Sequence, residues 1–195
     1  MMIGEEKSVV SIASLSPKRQ LAFALLAFER MLPSLIAFSK DTGFDDSCYL
    51  RSKDAAWTAL QDGAVDQALN EACMRSAPDT EEFSHPLTSY ALNAALVMSD
   101  IVEFTLDEKV DHIAYILTLV GDSLHLYLSS LEPSVVSSPE KDRRIARHPL
   151  MEQEQRREEE DIKFLSGLPD QFDKNAISAL KARATTQAPL LPLTH

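Results

Sequence analysis

Two charged residues stand in a stretch that is otherwise apolar. Glu29 and Arg30 lie within QLAFALLAFERMLPSLIAFSKDTGF, the run from Gln20 to Phe44. On a helix, successive side chains project about 100° apart, so these two cannot pair with each other, and each must reach water or a separate partner. A charge withdrawn from water is tolerated only when paired and hydrogen-bonded. Glu29 and Arg30 therefore form the wet face of an amphipathic helix, a buried structural salt bridge, or the polar wall of a pocket. Trp57, the single tryptophan, joins them as a candidate pocket or buried polar residue.

A second constellation lies further on. Asp111, Tyr115, Thr118, Asp122, His125 and Ser129 recur at steps of four and three, which aligns them along one line of a helix whose other faces are apolar. That line is either the helix's one wet face or the lining of a cleft. Asp122 and His125 stand three apart, and a neutral imidazole beside a carboxylate has the chemistry of a general base or of half a metal site. A carboxylate-bridged dimetal centre needs two Glu-x-x-His pairs and two further inward carboxylates. Only Glu82–His85 has that spacing, and Pro86 places it in a helix-start loop. No metal and no cofactor is expected. There is no Gly-x-Ser-x-Gly and no phosphate-cradling glycine loop, so nucleophilic catalysis has no local motif either. Cys48 and Cys73 lie far apart without a metal-ligand spacing and read as free, partly buried thiols.

The third feature is the run EQEQRREEED, Glu152 to Asp161. The pairs Glu152–Arg156, Arg156–Glu160 and Arg157–Asp161 are four apart, each worth a few tenths of a kcal/mol on a helix surface. The run reads as a solvated face, with Glu152, Glu154, Glu158 and Glu159 the candidate face for a basic protein partner.

Elements that position these groups follow from caps and periodicity. Ser16-Pro17 opens a helix to about Leu32, Pro33 kinks or restarts it, and the second piece ends at Lys40 before Gly43. Further helices are expected from Asp46 to Gln61, closing before Gly63, and from Ala64 to Arg75. A central helix starts at Ser84-His85-Pro86. Thr105-Leu106-Asp107-Glu108 has capping-box spacing and opens a helix to about Leu131. After a Ser/Pro loop from Glu132 to Ser138, Ser138-Pro139 and His148-Pro149 each open a helix, the latter ending at Gly167, and a last helix runs from Pro169 to Arg183. The tail, residues 184–195, has two prolines and no periodicity and is expected to be mobile or docked on a neighbour. Almost no segment alternates like a strand. The expected fold is therefore all-α: a single domain over residues 1–195, an irregular bundle of about eight helices.

Composition sets the limits. At 195 residues, 45% hydrophobic and 25% charged, the chain is long enough for one real core and has no disordered profile. A net charge of −11 disfavours nucleic acid and anionic membranes. The N-terminus, MMIGEEKSVV, carries acids where a secretory signal carries bases, and no apolar stretch of about 18 residues runs free of charge, which points to the cytoplasm.

The order Phe23, Glu29-Arg30, Pro33, Phe38, Gly43-Phe44, Trp57, then His148-Pro-Leu-Met-Glu with its Gln-rich continuation, resembles the YjaG-like family of bacterial proteins, domain-of-unknown-function family number 416. The resemblance implies one all-helical domain and assigns no activity, so it carries over no catalytic residue. Many members of that family end in a Gly-rich segment containing Ser and Asn, where this chain has Pro and Leu. Two readings follow. One is a non-enzymatic helical protein that binds another protein or a second copy of itself. The other is a small-molecule binder or enzyme whose pocket joins Glu29, Arg30 and the Asp111 to Ser129 stripe.

Overall fold

The run that carries Glu29 and Arg30 folds as one unbroken helix, α1 (Pro17–Thr42), in a computed structural model that describes residues 9–62, 65–132 and 138–192. Pro17 occupies the first turn, where a missing donor costs nothing, and Gly43 ends the helix in the left-handed conformation with φ 76°, donating its N–H to the Ser39 carbonyl. The expected break at Pro33 does not occur. Proline removes one backbone donor, but Met31, Leu32, Ser34, Leu35 and Phe38 around it are all buried, and their packing holds the two halves in one rod. By length and composition α1 is apolar enough to cross a membrane, yet 78% of its most apolar window is buried inside the fold, which accounts for that apolarity by packing.

Seven further helices follow: α2 (Ser47–Asp62), α3 (Gln67–Arg75), α4 (Thr88–Asp107), α5 (Val110–Ser130), α6 (Pro139–Ala146), α7 (Pro149–Ser166) and α8 (Lys174–Thr186). Residues 9–13 are also helical, and there is no strand among the described residues. The expected all-α class and number of long helices hold. Caps explain where the boundaries moved. Asp66 accepts the Ala68 amide at 2.9 Å and starts α3 later than Ala64, which with Gly63 lies outside the described residues. Asp173 accepts the Ala176 amide at 2.7 Å and starts α8 later than Pro169. Ser138 and His148 cap α6 and α7 as expected, while residues 133–137 of the Ser/Pro loop fall outside the described residues.

The capping box at Thr105 is a misreading. Its hydroxyl donates backward to the Val102 carbonyl at 2.7 Å, so Thr105 sits inside α4, and the chain turns at Glu108, a left-handed residue with φ 53°. Asp107 is the side chain that matters here, accepting the Lys109 amide at 3.0 Å.

Helix α1 packs most extensively on α4, and α4 on α5, so these three form the core; α2 and α3 cover α4, while α7 and α8 lie along α1. Phe23, Leu25, Phe28, Leu35, Phe38, Val97, Met98 and Ile101 are fully buried at this junction. Burying such side chains contributes about 1.5–3 kcal/mol each. Phe38 also anchors an aromatic cluster with Phe44 and Phe83, ring centroids 5.4 and 5.2 Å away. The C-terminal segment, expected to be mobile or docked on a neighbour, is docked over its described residues. Helix α8 continues to Thr186, and the residues up to Pro192 lie as a strap on this chain's own α1, with Leu190 and Leu191 buried and the Leu190 amide donating to the Arg30 carbonyl at 2.8 Å. Two apolar side chains need no periodicity to fill a groove. Residues 193–195 lie outside the described residues.

The α4–α5 corner is clipped by His112, whose Nδ1 lies 2.9 Å from Asp100 and Nε2 3.2 Å from Asp107. Partial burial works against the imidazolium, but the two carboxylates outweigh it and raise the proton affinity of His112 above its ordinary value. Lys109 holds the Asp107 carboxyl down at about 2, so a negative partner is present throughout. Because the folded-state value of His112 is raised, its stabilisation is complete below the ordinary value of 6.5 and drains away as pH rises through the folded value. Urea unfolding of His112→Gln should show a loss below about 1 kcal/mol near pH 5.5 that shrinks as pH rises through the raised folded-state value.

Candidate functional site

Glu29 and Arg30 do what adjacent helical charges must and turn to different neighbours. The Arg30 side chain is buried under α7 and α8: its Nε donates to Glu154 Oε1 at 2.8 Å, and its Nη1 donates to Asp161 Oδ2 at 2.7 Å and Gln187 Oε1 at 2.9 Å. Glu154 and Asp161 stand two turns apart on α7, so both reach the same side of α1. Asp161 is fully buried and also accepts from Arg183 Nε at 2.6 Å and Gln187 Nε2 at 2.8 Å, while Arg157 bonds the second oxygen of Glu154 at 3.2 Å. The Arg183 guanidinium in turn lies over the Phe164 ring, 4.9 Å from its centroid. Burial alone would lower the proton affinity of Arg30, but the charges of Glu154 and Asp161 more than offset it, and the net direction is up. Arg30 Nη2 has no partner among the described residues.

Glu29 faces α2. It accepts the Trp57 indole N–H at 3.0 Å and has Lys53 at 3.7 Å, and Lys181 of α8 stands over the Trp57 ring at 5.6 Å. One Glu-Arg step thereby binds α1 to α2 on one side and to α7 and α8 on another.

Asp122 and His125 sit elsewhere. Along α5, Asp111, Tyr115 and Asp122 are exposed, and Thr118, His125 and Ser129 are half-buried. Asp122, His125 and Ser129 line a shallow polar pocket of about 570 Å³ with Ser89, Asn93, Lys141 and Asp142, where His125 Nε2 lies 3.4 Å from Asp142. Neither Glu29 nor Arg30 lines it, so the structure does not bring the two groups into one pocket. Among the described residues, no three His, Cys, Asp or Glu side chains are placed to hold a metal. The proposed acidic face is also divided. Glu152 and Glu159 are exposed and Glu158 half-buried, but Glu154 is 3% exposed and belongs to the Arg30 network, as does Asp161. A charge run on a helix hides its inward members, and spacing alone does not separate them.

Beside that network lies a groove that sequence reasoning missed. Pro33, Ile36 and Ala37 of α1, Leu150 and Gln153 of α7, and Ala188 to Pro192 of the strap enclose about 690 Å³, with Lys40 and Arg157 as its charged lining residues. The wall is mostly apolar, and Ile36 is 45% exposed.

A family model described as "Protein of unknown function (DUF416)" matches residues 7–188, nearly the whole chain. The chain belongs to the DUF416 family. A crystal structure of a DUF416 family protein from Shewanella baltica OS155 superimposes with a TM-score of 0.79 at 16% sequence identity, covering 91% of this chain and 92% of that one. That likeness establishes a shared DUF416 fold and extends to no activity. No curated protein matches the chain.

Within this DUF416 fold the two halves of the Glu29-Arg30 step should differ sharply in cost. Arg30→Ala removes the shared cation from buried Glu154 and Asp161, leaving them only Arg157 and Arg183 respectively, and should lose about 3 kcal/mol in urea unfolding. Arg30→Lys should recover only part of this, because one ammonium cannot reproduce the fork. Glu29→Gln retains an acceptor for Trp57 and should cost about 1 kcal/mol or less.

Proposed function

We propose that this chain is a non-enzymatic, cytoplasmic binding protein whose docking site is the groove between α1, α7 and the C-terminal strap, and that it takes an apolar segment of another protein bearing acidic side chains. One observation carries the reading: an open, mainly apolar trough in a protein of net charge −11, whose two charged lining residues, Lys40 and Arg157, are both cationic. Apolar walls supply most of the binding free energy, and complementary charge at the edge selects the partner. Arg157 is held in place by Glu154, while Lys40 is exposed and has no ion-pair partner among the described residues. Ile36 is the side chain that an incoming residue would cover.

An apolar organic sulfonate, 8-anilinonaphthalene-1-sulfonate, mimics an apolar group with an acidic head. Its saturable binding should weaken about tenfold in Ile36→Asp, a change of about 1.4 kcal/mol, and less in Lys40→Gln. In cells, a photo-crosslinking side chain at position 36 should capture a peptide that combines apolar and acidic residues, and Lys40→Glu should abolish the capture. Capture through position 152 or 159 with none at 36 would overturn the reading in favour of the exposed acidic face.

A further inference from the structure

Cys48 on α2 and Cys73 on α3 meet across the contact between those helices, together with two serines. Cys48 and Ser52 are one turn apart on α2, and Cys73 and Ser76 nearly one turn apart on α3. The contacts cross over: Cys48 Sγ lies 3.1 Å from Ser76 Oγ, and Cys73 Sγ lies 3.1 Å from Ser52 Oγ. The Ser76 hydroxyl also lies 3.2 Å from the Cys73 carbonyl, which the Tyr49 hydroxyl reaches from α2 at 2.8 Å. Two helices locked in this register place the thiols on one diagonal of a four-residue patch. Cys48 is close enough to Cys73 to raise its proton affinity, and both thiols raise that of Tyr49.

Their surroundings differ. Cys73 is 1% exposed, and burial foremost pushes its thiol up to about 12, with Cys48 adding to the shift. Cys48 is 7% exposed and lines a surface pocket of about 490 Å³ whose charged residues are Arg51, Arg75, Asp45 and Glu82. A small oxidant reaches Cys48 first.

We infer that Cys48 and Cys73 form an intrachain disulfide when the protein meets a hydroperoxide, with Cys48 the thiol oxidised first and Cys73 the resolving one. In the first step Cys48 sulfur attacks the distal peroxide oxygen. The S–O bond forms, the O–O bond breaks, and the leaving oxygen takes the thiol proton and departs as water or an alcohol. In the second, Cys73 sulfur attacks the Cys48 sulfenic sulfur. The S–S bond forms, the S–O bond breaks, and the Cys73 proton leaves with the hydroxyl as water. Two thiols are oxidised by two electrons and one peroxide is reduced by two. The high proton affinity of Cys73 makes the second step the slow one, so it accelerates with rising pH.

The full chain, reduced and then exposed to a slight excess of hydrogen peroxide, should lose two hydrogens in intact mass. Thiol blocking followed by peptide mapping should show a Cys48–Cys73 cross-linked pair that dithiothreitol reverses. Cys73→Ser should stop at a Cys48 sulfenic acid that dimedone traps, and Cys48→Ser should leave Cys73 unmodified over the same interval. Circular dichroism checks that both variants fold, and the wild-type map decides the matter without them. A wild-type chain that gives a dimedone adduct or sulfinic acid at Cys48 with no cross-link, a dimer joined between chains, or no oxidation at all would overturn the inference.

Discussion

One buried guanidinium organises this molecule. Arg30 sits on the helix that forms the spine of the core, and its charge must be answered by groups that arrive more than 120 positions later in the chain, Glu154, Asp161 and Gln187. A buried ion pair adds little net stability compared with a well-packed apolar alternative, but leaving one member unpaired is severely unfavourable. The asymmetry makes Arg30 a device for specifying geometry. Helix α7 can lie against α1 only in the register that puts both carboxylates on the same fork, and α8 only where Arg183 and Gln187 complete the coordination of Asp161. A shift of α7 by one residue would rotate both carboxylates away.

The groove follows from the same arrangement. With α7 fixed at a set distance from α1, Leu150 and Gln153 face Pro33, Ile36 and Ala37 across a gap too wide for direct packing, and the strap fills only part of it. Pro33 leaves the helix without one donor, and close to it the Arg30 carbonyl takes the Leu190 amide that seats the strap. Charge network and trough are thus adjacent and meet at Arg157, which pairs with Glu154 and also lines the groove beside Lys40.

Much of this was legible in the sequence, for identifiable reasons. Apolar periodicity announced the core helices, and Glu29-Arg30 stood out because an oily run has no use for two charges. What stayed hidden was the partner. Glu154 and Asp161 were masked by exposed acids around them, although Met151, Glu154, Asp161 and Leu165 fall on one helical stripe that Met151 and Leu165 mark as inward. Thr105 imitated a capping box because a hydroxyl three residues before a glutamate looks alike whether it bonds forward or back, and only the turn at Glu108 decides. Cys48 and Cys73 gave no local signal, since their proximity depends on how α2 crosses α3. The strap could not be read by period because Leu190 and Leu191 act as two plugs, with no helix between them and α8.

The position of the strap bears on how the protein is made. Synthesis delivers Arg30 early and its counter-charges late, so a nascent chain carries α1 with an unanswered cation until α7 has left the ribosome. The seal formed by Leu190 closes only once the segment following α8 has also been made. A chain lacking the strap would retain nearly every core residue and still present open hydrophobic surface beside Arg30, which leaves it open to proteolysis.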